Sequence, residues 1–534
     1  MILAKVACRA QVGLHAPLVQ VEVSLAAGLP AFSIVGLPAT VVKESKERVR
    51  AALTNSHFEF PAGRITVNLA PVDLPKEGGR FDLPIALGIL LASGQILAPI
   101  APMTTEFYGE LGLDGELKPV RGLLMAAASA TQQGHDLVVP RGNSEEVLLV
   151  SRAPIRVANH LLDVCGHLTG TKPLPDCNSR PARRLDKIEG PRRSLDLSDV
   201  RGQLFAKRAL VIAAAGGHSV VMIGPPGSGK SMLAQRLPGL LPALNSVESL
   251  EVACIACASA GGFDESTFGQ RPFRAPHHTA SAPALVGGGA RARPGEASLA
   301  HHGVLFLDEL PEFPRATLEA LREPLEAGVI CVSRAAAQAQ YPASFQLVAA
   351  MNPCPCGYQG DPTGNCNCTP AEVQRYRAKI SGPLLDRIDM HVEVPRVRVS
   401  EFDDAMVKGE GTTAAAARVA HARQTQLTRQ GICNARLADS EIDRWCRPDR
   451  GGRNILDLAM RRLGLSARTR ARVLRLARTI ADLDGKDEIT AAHVSEAVML
   501  RCLDRRRLEI TGYEPESRND SPETPHCGAS GDGR

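Results

Sequence analysis

The chain has 534 residues, of which 44% are apolar and 22% are charged, so it can bury several cores, and disorder along its whole length is excluded. The 62 basic and 57 acidic side chains leave a net charge of only +5, which does not by itself indicate a nucleic-acid partner. The aromatic content of 4% disfavours a mechanism built on extensive base stacking.

The beginning of the chain and its apolar runs bear on the compartment. The first residues lack the basic start, long apolar run and cleavage site of a signal peptide. The most apolar stretch, residues 83–101, is interrupted by prolines and glycines, so a membrane span is not expected. We therefore expect a cytoplasmic protein whose 14 cysteines are reduced.

Pattern and composition divide the chain into five segments, and the predicted fold class is α/β. Residues 1–168 mix strand and helix patterns, and residues 169–195 are predicted to be a basic, proline-rich linker. A nucleotide-binding core is predicted over residues 196–396 and a helical domain over residues 397–512. Residues 513–534 are rich in Pro, Ser, Gly and Asp, which predicts a disordered tail.

The amino-terminal segment contains a strand–turn–strand pattern over residues 107–120 and a glycine-containing loop over residues 75–82. Both resemble parts of the Lon protease domain, which has a ribosomal-protein-S5-like α/β fold. The positions that match the Lon Ser–Lys dyad hold Arg80 and Leu124, which cannot serve as nucleophile and base. We expect a Lon-like fold without peptidase activity, and leave open whether it has a DNA-associated or a purely structural role.

A glycine-rich motif follows a short apolar segment near the middle of the chain. Residues 219–223 are predicted to form a buried parallel strand, and the next eight residues read G-x-x-x-x-G-K-S. In such a loop the main-chain N–H groups face phosphate oxygens, the lysine reaches the β- and γ-phosphates, and the serine hydroxyl holds Mg²⁺. The predicted nucleotide-binding residues are Gly224, Pro225, Pro226, Gly227, Ser228, Gly229, Lys230 and Ser231.

Two further apolar segments end in polar residues. Residues 304–307 lead into Asp308 and Glu309, and residues 345–351 lead into Asn352. Asp308 is expected to bind Mg²⁺ together with Ser231, Glu309 to polarise the attacking water, and Asn352 to orient that water. The predicted cofactors are therefore ATP and Mg²⁺.

The order of these motifs, followed by G-P-L-L-D-R-I-D at residues 382–389, resembles AAA+ ATPases. The resemblance is closest to the branch that contains the magnesium-chelatase ATPase subunit and the MCM replicative helicases. Residues 271–279 and 295–301 resemble the magnesium-chelatase-like ComM (YifB) competence protein family, and the likeness extends over residues 1–512.

This resemblance implies roles for three residues. Asn352 matches the sensor-1 asparagine, Arg387 the arginine finger that reaches the neighbouring subunit's γ-phosphate, and Arg468 the sensor-2 arginine of a helical lid. An arginine supplied across an interface makes hydrolysis depend on assembly, and we expect a homo-oligomeric ring, a hexamer. The alternatives are an ion pair of Arg387 with Asp386 or Asp389, and a solvated helix face for Arg468.

Two basic regions are candidates for contact with a phosphate backbone. The lid segment 461–478 holds seven arginines and no acid, with Arg468, Arg472 and Arg475 on one helix face. For this face the nucleotide, a neighbouring subunit and nucleic acid all stay open as partners. In related ATPases an insertion after the P-loop projects toward the pore, and residues 328–342 are a second candidate pore hairpin. For the histidine pair at 277–278, packing or hydrogen bonding and metal binding stay open. The basic residues of the insertion are Arg271, Arg274, His277, His278, Arg291, Arg293, His301 and His302.

Four cysteines fall within 15 residues as C-x-C, nine residues, C-x-C: Cys354, Cys356, Cys366 and Cys368. Four thiolates can bind Zn²⁺ tetrahedrally, although the usual pairing is C-x₂-C. Reduced structural thiols and oxidisable pairs are the alternatives to zinc. A metal here would fix a protrusion beside the nucleotide site.

The family resemblance implies an ATP-driven DNA motor with helicase and branch-migration activity in natural transformation and homologous recombination. Its expected substrate is single-stranded and branched DNA, without sequence preference and without a membrane partner. The alternative is a chelatase-type ATPase that remodels a protein partner for metal insertion. An ATP-dependent protease is a third reading, which Arg80 and Leu124 disfavour.

Overall fold

The computed structural model describes most of the chain. The described residues are 2–37, 39–98, 103–150, 153–177, 195–289, 292–334, 337–361, 366–397 and 410–503. The predicted disordered tail and residues 178–194 of the predicted linker lie outside them. Residues 169–177 continue the first unit, because Asp176 bridges to Arg156 and the N–H of Leu174 donates to His167 at 3.3 Å.

The first unit is built on a seven-stranded mixed sheet. Antiparallel pairs lie in its middle and parallel pairs on either side. A separate hairpin, Glu110–Leu111 with Leu117–Lys118, matches the strand–turn–strand pattern read from the sequence. The strands in sheet order are Ala31–Val35, Arg64–Ala70, Leu18–Ala26, Ile2–Arg9, Thr105–Phe107, Asp136–Pro140 and Ile155–Ala158. The helices are Thr40–Asn55, Asp82–Ala92, Leu123–Gln133, Ser144–Leu148 and Leu161–Leu168.

The two positions that correspond to a Lon dyad are both buried. The guanidinium of Arg80 donates to the carbonyl of Arg121 at 2.6 Å and to Gln11 at 3.3 Å, and Leu124 lies in the apolar core. A buried arginine that holds a main-chain carbonyl is a structural contact. The likeness of this unit to the Lon fold stays a prediction.

The second unit contains a five-stranded sheet in which every pair is parallel, so all strands end at one edge, here called the carboxyl edge, and start at the opposite amino edge. When the strands are numbered by their order along the chain, their order across the sheet is 2-3-4-1-5. The first strand therefore lies at the point where the strand order reverses. Ligands bind at such a switch point, outside the carboxyl ends of the strands. The strands in sheet order are Phe273–Arg274, Val304–Leu307, Gln346–Met351, Val220–Ile223 and Met390–Glu393.

Alternate residues of the first strand face two different cores, as the period of two requires. Val220 and Met222 pack toward the helical lid, and Val221 and Ile223 pack on the opposite face. Two hairpins extend from the sheet, Gly287–Gly288 with Arg293–Pro294 and Val329–Arg334 with Ala337–Pro342. The helices are Leu204–Gly216, Lys230–Ala234, Leu237–Leu240, Ser246–Ala258, Ala282–Val286, Glu296–Leu299, Arg315–Ala320, Arg322–Ala327, Pro370–Arg377 and Gly382–Leu385.

The last described segment is helical and packs on one face of the sheet unit. Its first helix is fixed to helix Leu204–Gly216, because the Arg423 guanidinium donates to the Ala214 carbonyl at 2.8 Å. Along the described segments, none of the helices has the length and apolarity needed to cross a bilayer. The lid helices are Thr412–Gln430, Asp439–Trp445, Arg450–Leu463, Ala467–Leu483 and Ala491–Met499.

The first unit and the sheet unit share one apolar cluster. Ala253 and Cys257 of helix Ser246–Ala258, together with Phe268, are buried in the core of the first unit. Cys254 and Cys257 both lie on this helix, and the thiol of Cys257 lies 3.9 Å from Glu146 of the first unit. The two units are therefore packed against each other directly.

Candidate nucleotide site and its arginine edge

The loop after the first strand has the geometry of a phosphate cradle. Gly227 and Gly229 have φ of +76° and +92°, which other residues adopt only with strain. A side chain at Gly224 would place its Cβ 2.0 Å from the Val394 carbonyl oxygen. The buried hydroxyl of Ser228 has no hydrogen-bond partner among the described residues, as expected of a donor that binds a ligand.

Lys230 lies within this loop and is buried. Its ammonium donates to the carbonyls of Gly224 at 2.8 Å and Pro225 at 2.9 Å, and to Asn352 Oδ1 at 3.3 Å. Burial lowers the pKa of Lys230, and the nearby Asp308 carboxylate opposes this shift. A desolvated ammonium beside Asn352 is suited to phosphate oxygens, so the predicted pair of Lys230 and Asn352 is brought together.

The residues predicted to hold Mg²⁺ also meet. Ser231 Oγ donates to Asp308 Oδ2 at 2.7 Å, and the N–H of Glu309 donates to the other carboxylate oxygen at 2.9 Å. A hydroxyl and a carboxylate are hard oxygen ligands of the kind Mg²⁺ prefers. The donor set therefore fits the ion, with Asp308 oriented by the main chain.

Glu309 has a partner that the sequence did not indicate. His278 Nδ1 lies 3.0 Å from Glu309 Oε2, and the His278 ring packs against that of His277, with centroids 4.1 Å apart and planes tilted by 34°. Glu309 has φ of +53°, a conformation that is uncommon outside glycine and often marks functional positions. Among the described residues neither histidine belongs to a group that could hold a metal, and the contacts that His278 makes are its pair with Glu309 and its packing on His277.

The two predicted arginines lie away from this cluster, at the amino edge. Arg387 precedes the strand Met390–Glu393, and Ser219, which precedes the first strand, donates to the Arg387 carbonyl at 3.2 Å. The P-loop follows the same strand at its other end. At about 3.3 Å per residue, four strand residues separate the two edges by roughly 13 Å.

One carboxylate holds both arginines. Arg387 lies 2.7 Å and Arg468 lies 3.5 Å from the same oxygen of Glu326. Arg387 also donates to the Pro383 carbonyl at 2.8 Å. Arg387 therefore pairs with Glu326 rather than with the alternative partners Asp386 and Asp389, and Arg468 stays exposed, in keeping with the solvated helix face that was its alternative. No motif in the sequence indicates Glu326 as the partner of these arginines.

A buried ionic network anchors this edge. The Asp389 carboxylate contacts Arg472, His218 at 3.4 Å and the N–H of Ser219 at 3.1 Å. Burial alone would raise the pKa of Asp389, but the hydrogen bond from His218 and the Arg472 charge outweigh it and lower the pKa. The network joins the first strand, the fifth strand and lid helix Ala467–Leu483.

Several basic residues predicted to face a ligand are used internally. Arg472 binds Asp389, and Arg475 binds Asp439 at 2.6 Å, so these two arginines of the lid face have intrachain partners. Arg274 forms an ion pair with Glu296 at 2.6 Å.

Arg271 and the second histidine pair are internal as well. Arg271 donates to the Pro242 carbonyl at 2.6 Å, and burial lowers its pKa to about 10. His301 accepts the Ser344 N–H at Nδ1, at 2.9 Å, and its Nε2 lies 3.3 Å from Glu251. His302 Nε2 lies 2.7 Å from the same carboxylate. Because Nδ1 of His301 accepts a hydrogen bond, the neutral ring carries its proton on Nε2, which faces Glu251.

Arg293 is half-buried and His277 is exposed, so both stay candidates for phosphate contact. Arg291 lies outside the described residues, as do the tip of hairpin 329–342 and the side chain of Arg334. The four clustered cysteines come together, with their sulfur atoms within 4.8 Å of one another.

The parallel sheet, the phosphate cradle and the Asp–Glu pair define a P-loop ATPase of the AAA+ class. The chain matches the family described as "Magnesium chelatase, subunit ChlI" over residues 196–402. It also matches "Subunit ChlI of Mg-chelatase" over residues 21–143 and the ChlI C-terminal family over residues 409–501.

Similarity to individual proteins extends over nearly the whole chain. The competence protein ComM of Haemophilus influenzae is 47% identical over 506 residues, which is 95% of this chain and 98% of the relative. The protein YifB of Escherichia coli is 47% identical over 513 residues, 96% and 99% of the two chains. The chain belongs to the ComM (YifB) family of magnesium-chelatase-like AAA+ ATPases, and this family implies ATP hydrolysis with Mg²⁺.

Proposed function

We propose that the protein is an ATP-driven motor that assembles into a ring, a hexamer, and moves along DNA. The observation that carries the assembly is the separation of two sets of residues within one chain. The P-loop, Asp308, Glu309 and Asn352 lie at the carboxyl edge of the sheet, whereas Arg387 and Arg468 lie at the amino edge.

In this proposal each chain supplies half of two active sites. Lys230 and Ser231 bind the triphosphate and its Mg²⁺, and Glu309 accepts the proton of the attacking water, which Asn352 orients. Arg387 and Arg468 of the adjacent copy stabilise the charge that develops on the transferred phosphoryl group. Because each active site contains residues of two adjacent chains, hydrolysis at one site is coupled to the position of the neighbouring subunit.

Two observations support DNA as the track. The lid presents Arg461 and Arg462 to solvent, and neither forms an ion pair with another described residue, so they are available to phosphates. The Haemophilus relative is named a competence protein, and competence is the capacity of bacteria to take up DNA. We propose a role in processing such DNA by unwinding and branch migration during recombination.

The proposal is tested with forked duplexes and four-way junctions in the presence of ATP and Mg²⁺. The wild-type chain should separate or migrate them, and its ATPase should rise on addition of DNA. The Lys230→Ala chain should do neither while keeping its fold by circular dichroism. Wild-type protein that hydrolyses ATP but neither binds nor remodels any DNA form would disprove the motor.

A chelatase-type ATPase is the second candidate, and the descriptions of all three matching families favour it. Such a protein would use hydrolysis to remodel a protein partner that inserts a metal. Capture of partners from cells distinguishes the two functions. A stable protein client that survives nuclease treatment and stimulates the ATPase, with no stimulation by DNA, would favour the chelatase-type function.

A further inference from the structure

The four clustered cysteines lie beside the nucleotide site and are not disulfide-bonded. The sulfur of Cys354 is 3.3 Å from that of Cys356 and 3.7 Å from that of Cys366, and the last two are 3.6 Å apart. A disulfide would need about 2.05 Å. Cys368 lies within the same 4.8 Å group.

These separations are those of thiolates around one metal ion. With Zn–S bonds of about 2.3 Å, the edges of a tetrahedron are about 3.8 Å long. Four uncharged thiols gain little from such crowding, since the S–H group is a weak donor and a weak acceptor. The C-x-C pairs thus bring their sulfur atoms close enough to share one ion, although the usual zinc-binding pair, C-x₂-C, has one more residue between its cysteines.

The surroundings suit a tetrathiolate site. The N–H of Gln359 lies 3.3 Å from the Cys354 sulfur, in position to donate to it and reduce its negative charge. The Arg377 guanidinium donates to the Pro353 carbonyl at 3.2 Å and to Gln359 Oε1 at 2.9 Å, which puts a positive charge beside the loop. Cys354 itself is buried.

The same loop supports the P-loop. Gly357 has φ of +88°, and a Cβ there would lie 2.7 Å from the Pro226 ring, so its main chain packs directly on the phosphate cradle. Asn352, two residues before Cys354, contacts Lys230. A fixed cysteine loop therefore restrains both the cradle wall and the side chain that meets the ammonium.

We infer that Cys354, Cys356, Cys366 and Cys368 bind one Zn²⁺ per chain, and that this ion holds the loop against the P-loop. Binding of Zn²⁺ by four thiols releases four protons and leaves a tetrathiolate site with a net charge of −2. Thiolate ligands select soft ions such as zinc, and a four-coordinate site with no open position serves structure rather than catalysis.

The test uses the full-length chain without a polyhistidine tag, purified with a reductant. Elemental analysis should find one zinc per chain. Protein loaded with Co²⁺ should show a thiolate-to-cobalt charge-transfer band and the visible bands of tetrahedral cobalt. The double variant Cys366→Ser with Cys368→Ser should lose the metal and both spectral features. Cys331→Ser, a change at an exposed cysteine outside the cluster, should retain them.

A second measurement tests whether the zinc-bound loop supports the P-loop. Removal of zinc from the wild-type chain by a chelator should weaken binding of a fluorescent ATP analogue several-fold, and re-addition of Zn²⁺ should restore it. This comparison does not need a folded variant or any DNA activity. Substoichiometric zinc, stoichiometric iron or a disulfide between these cysteines would overturn the metal assignment. Zinc loss with unchanged nucleotide affinity would overturn the support of the P-loop.

Discussion

The two edges of the five-stranded sheet differ in what their polar residues are paired with. At the carboxyl edge Lys230 donates to main-chain carbonyls and to Asn352, and Ser231 donates to Asp308, in positions where a nucleotide and Mg²⁺ can take over those contacts. At the amino edge Arg387 and Arg468 are held by Glu326, and Asp389 is saturated by buried partners. In the proposed function, the first edge receives the substrate and the second meets an adjacent copy, and the following predictions test that division.

The largest effect is expected from Arg387→Ala, which removes the arginine edge and leaves the nucleotide edge intact. The turnover number should fall about 10³-fold or more, because an arginine supplied in trans stabilises transition-state charge by that order. Binding of a fluorescent ATP analogue should be unchanged.

Mixing two inactive chains sharpens this result. Lys230→Ala supplies an intact arginine edge and Arg387→Ala an intact nucleotide edge, so a mixture should recover part of the ATPase. If the Arg387→Ala protein keeps normal turnover, or if the mixture stays inactive although the two chains co-assemble, the arginine does not act across an interface.

The second largest effect is expected on stability, from Asp389→Ala. The change leaves the buried His218 and the half-buried Arg472 without their carboxylate, and loss of one partner of a buried pair costs about 3–5 kcal/mol. Urea unfolding at neutral pH measures it, and the exposed change Asp457→Ala, on the outer face of a lid helix, is the control.

The pH dependence of that difference has a defined sign. Since the folded pKa of Asp389 is lowered, its ionised form stabilises the native state above the unfolded pKa of about 3.9. This stabilisation is lost as the pH falls below that value. The gap between wild type and Asp389→Ala should narrow on acidification below about pH 4, and a gap that widens would contradict the assignment.

A smaller effect is expected from His278→Ala, within the carboxyl edge. His278 contacts Glu309 and is not a predicted ligand of the nucleotide, so its loss should reduce kcat about tenfold. This effect is smaller than the loss of the general base itself, which contributes ~10²–10⁴-fold. The KM for ATP should change little. His277→Ala is the matched control, since the His277 imidazole hydrogen-bonds to Thr279 and touches Glu309 only through the neighbouring His278 ring. Equal effects of the two substitutions would contradict a positioning role for His278.

The smallest effect is expected from Glu326→Gln. The ion pairs of Glu326 are partly exposed, and such pairs contribute about 0–1 kcal/mol. Release of Arg387 and Arg468 from this carboxylate should lower the chain concentration for half-maximal ATPase by up to about fivefold, with kcat nearly unchanged. A higher concentration requirement would mean that Glu326 positions the arginines for the neighbour and does not compete with it.

The carboxyl edge could be predicted from sequence because its residues directly follow apolar strands. The P-loop, Asp308, Glu309 and Asn352 each have a fixed place after a buried segment, and parallel pairing brings such ends together. Strand 304–307 was predicted with its observed bounds, and strand 345–351 within one residue.

The amino edge was harder to predict because its contacts join distant segments. Glu326 and Arg468 are 142 positions apart along the numbering, and Asp389 meets His218 and Arg472 across the sheet. A count of seven arginines over residues 461–478 does not reveal that Arg472 and Arg475 are already paired. The same applies to Arg271 and Arg274, whose partners lie in other elements.

The apolar cluster that Ala253, Cys257 and Phe268 share with the first unit limits how the chain can be dissected. Cutting the chain at the basic linker would expose the apolar side of helix Ser246–Ala258 in one fragment and the matching apolar surface of the first unit in the other. Exposed apolar surfaces of this kind promote aggregation. Deletion of the first unit is thus a poor route to an isolated ATPase domain. Point substitutions in the full-length chain are therefore better suited than truncation to assigning functions to the individual units.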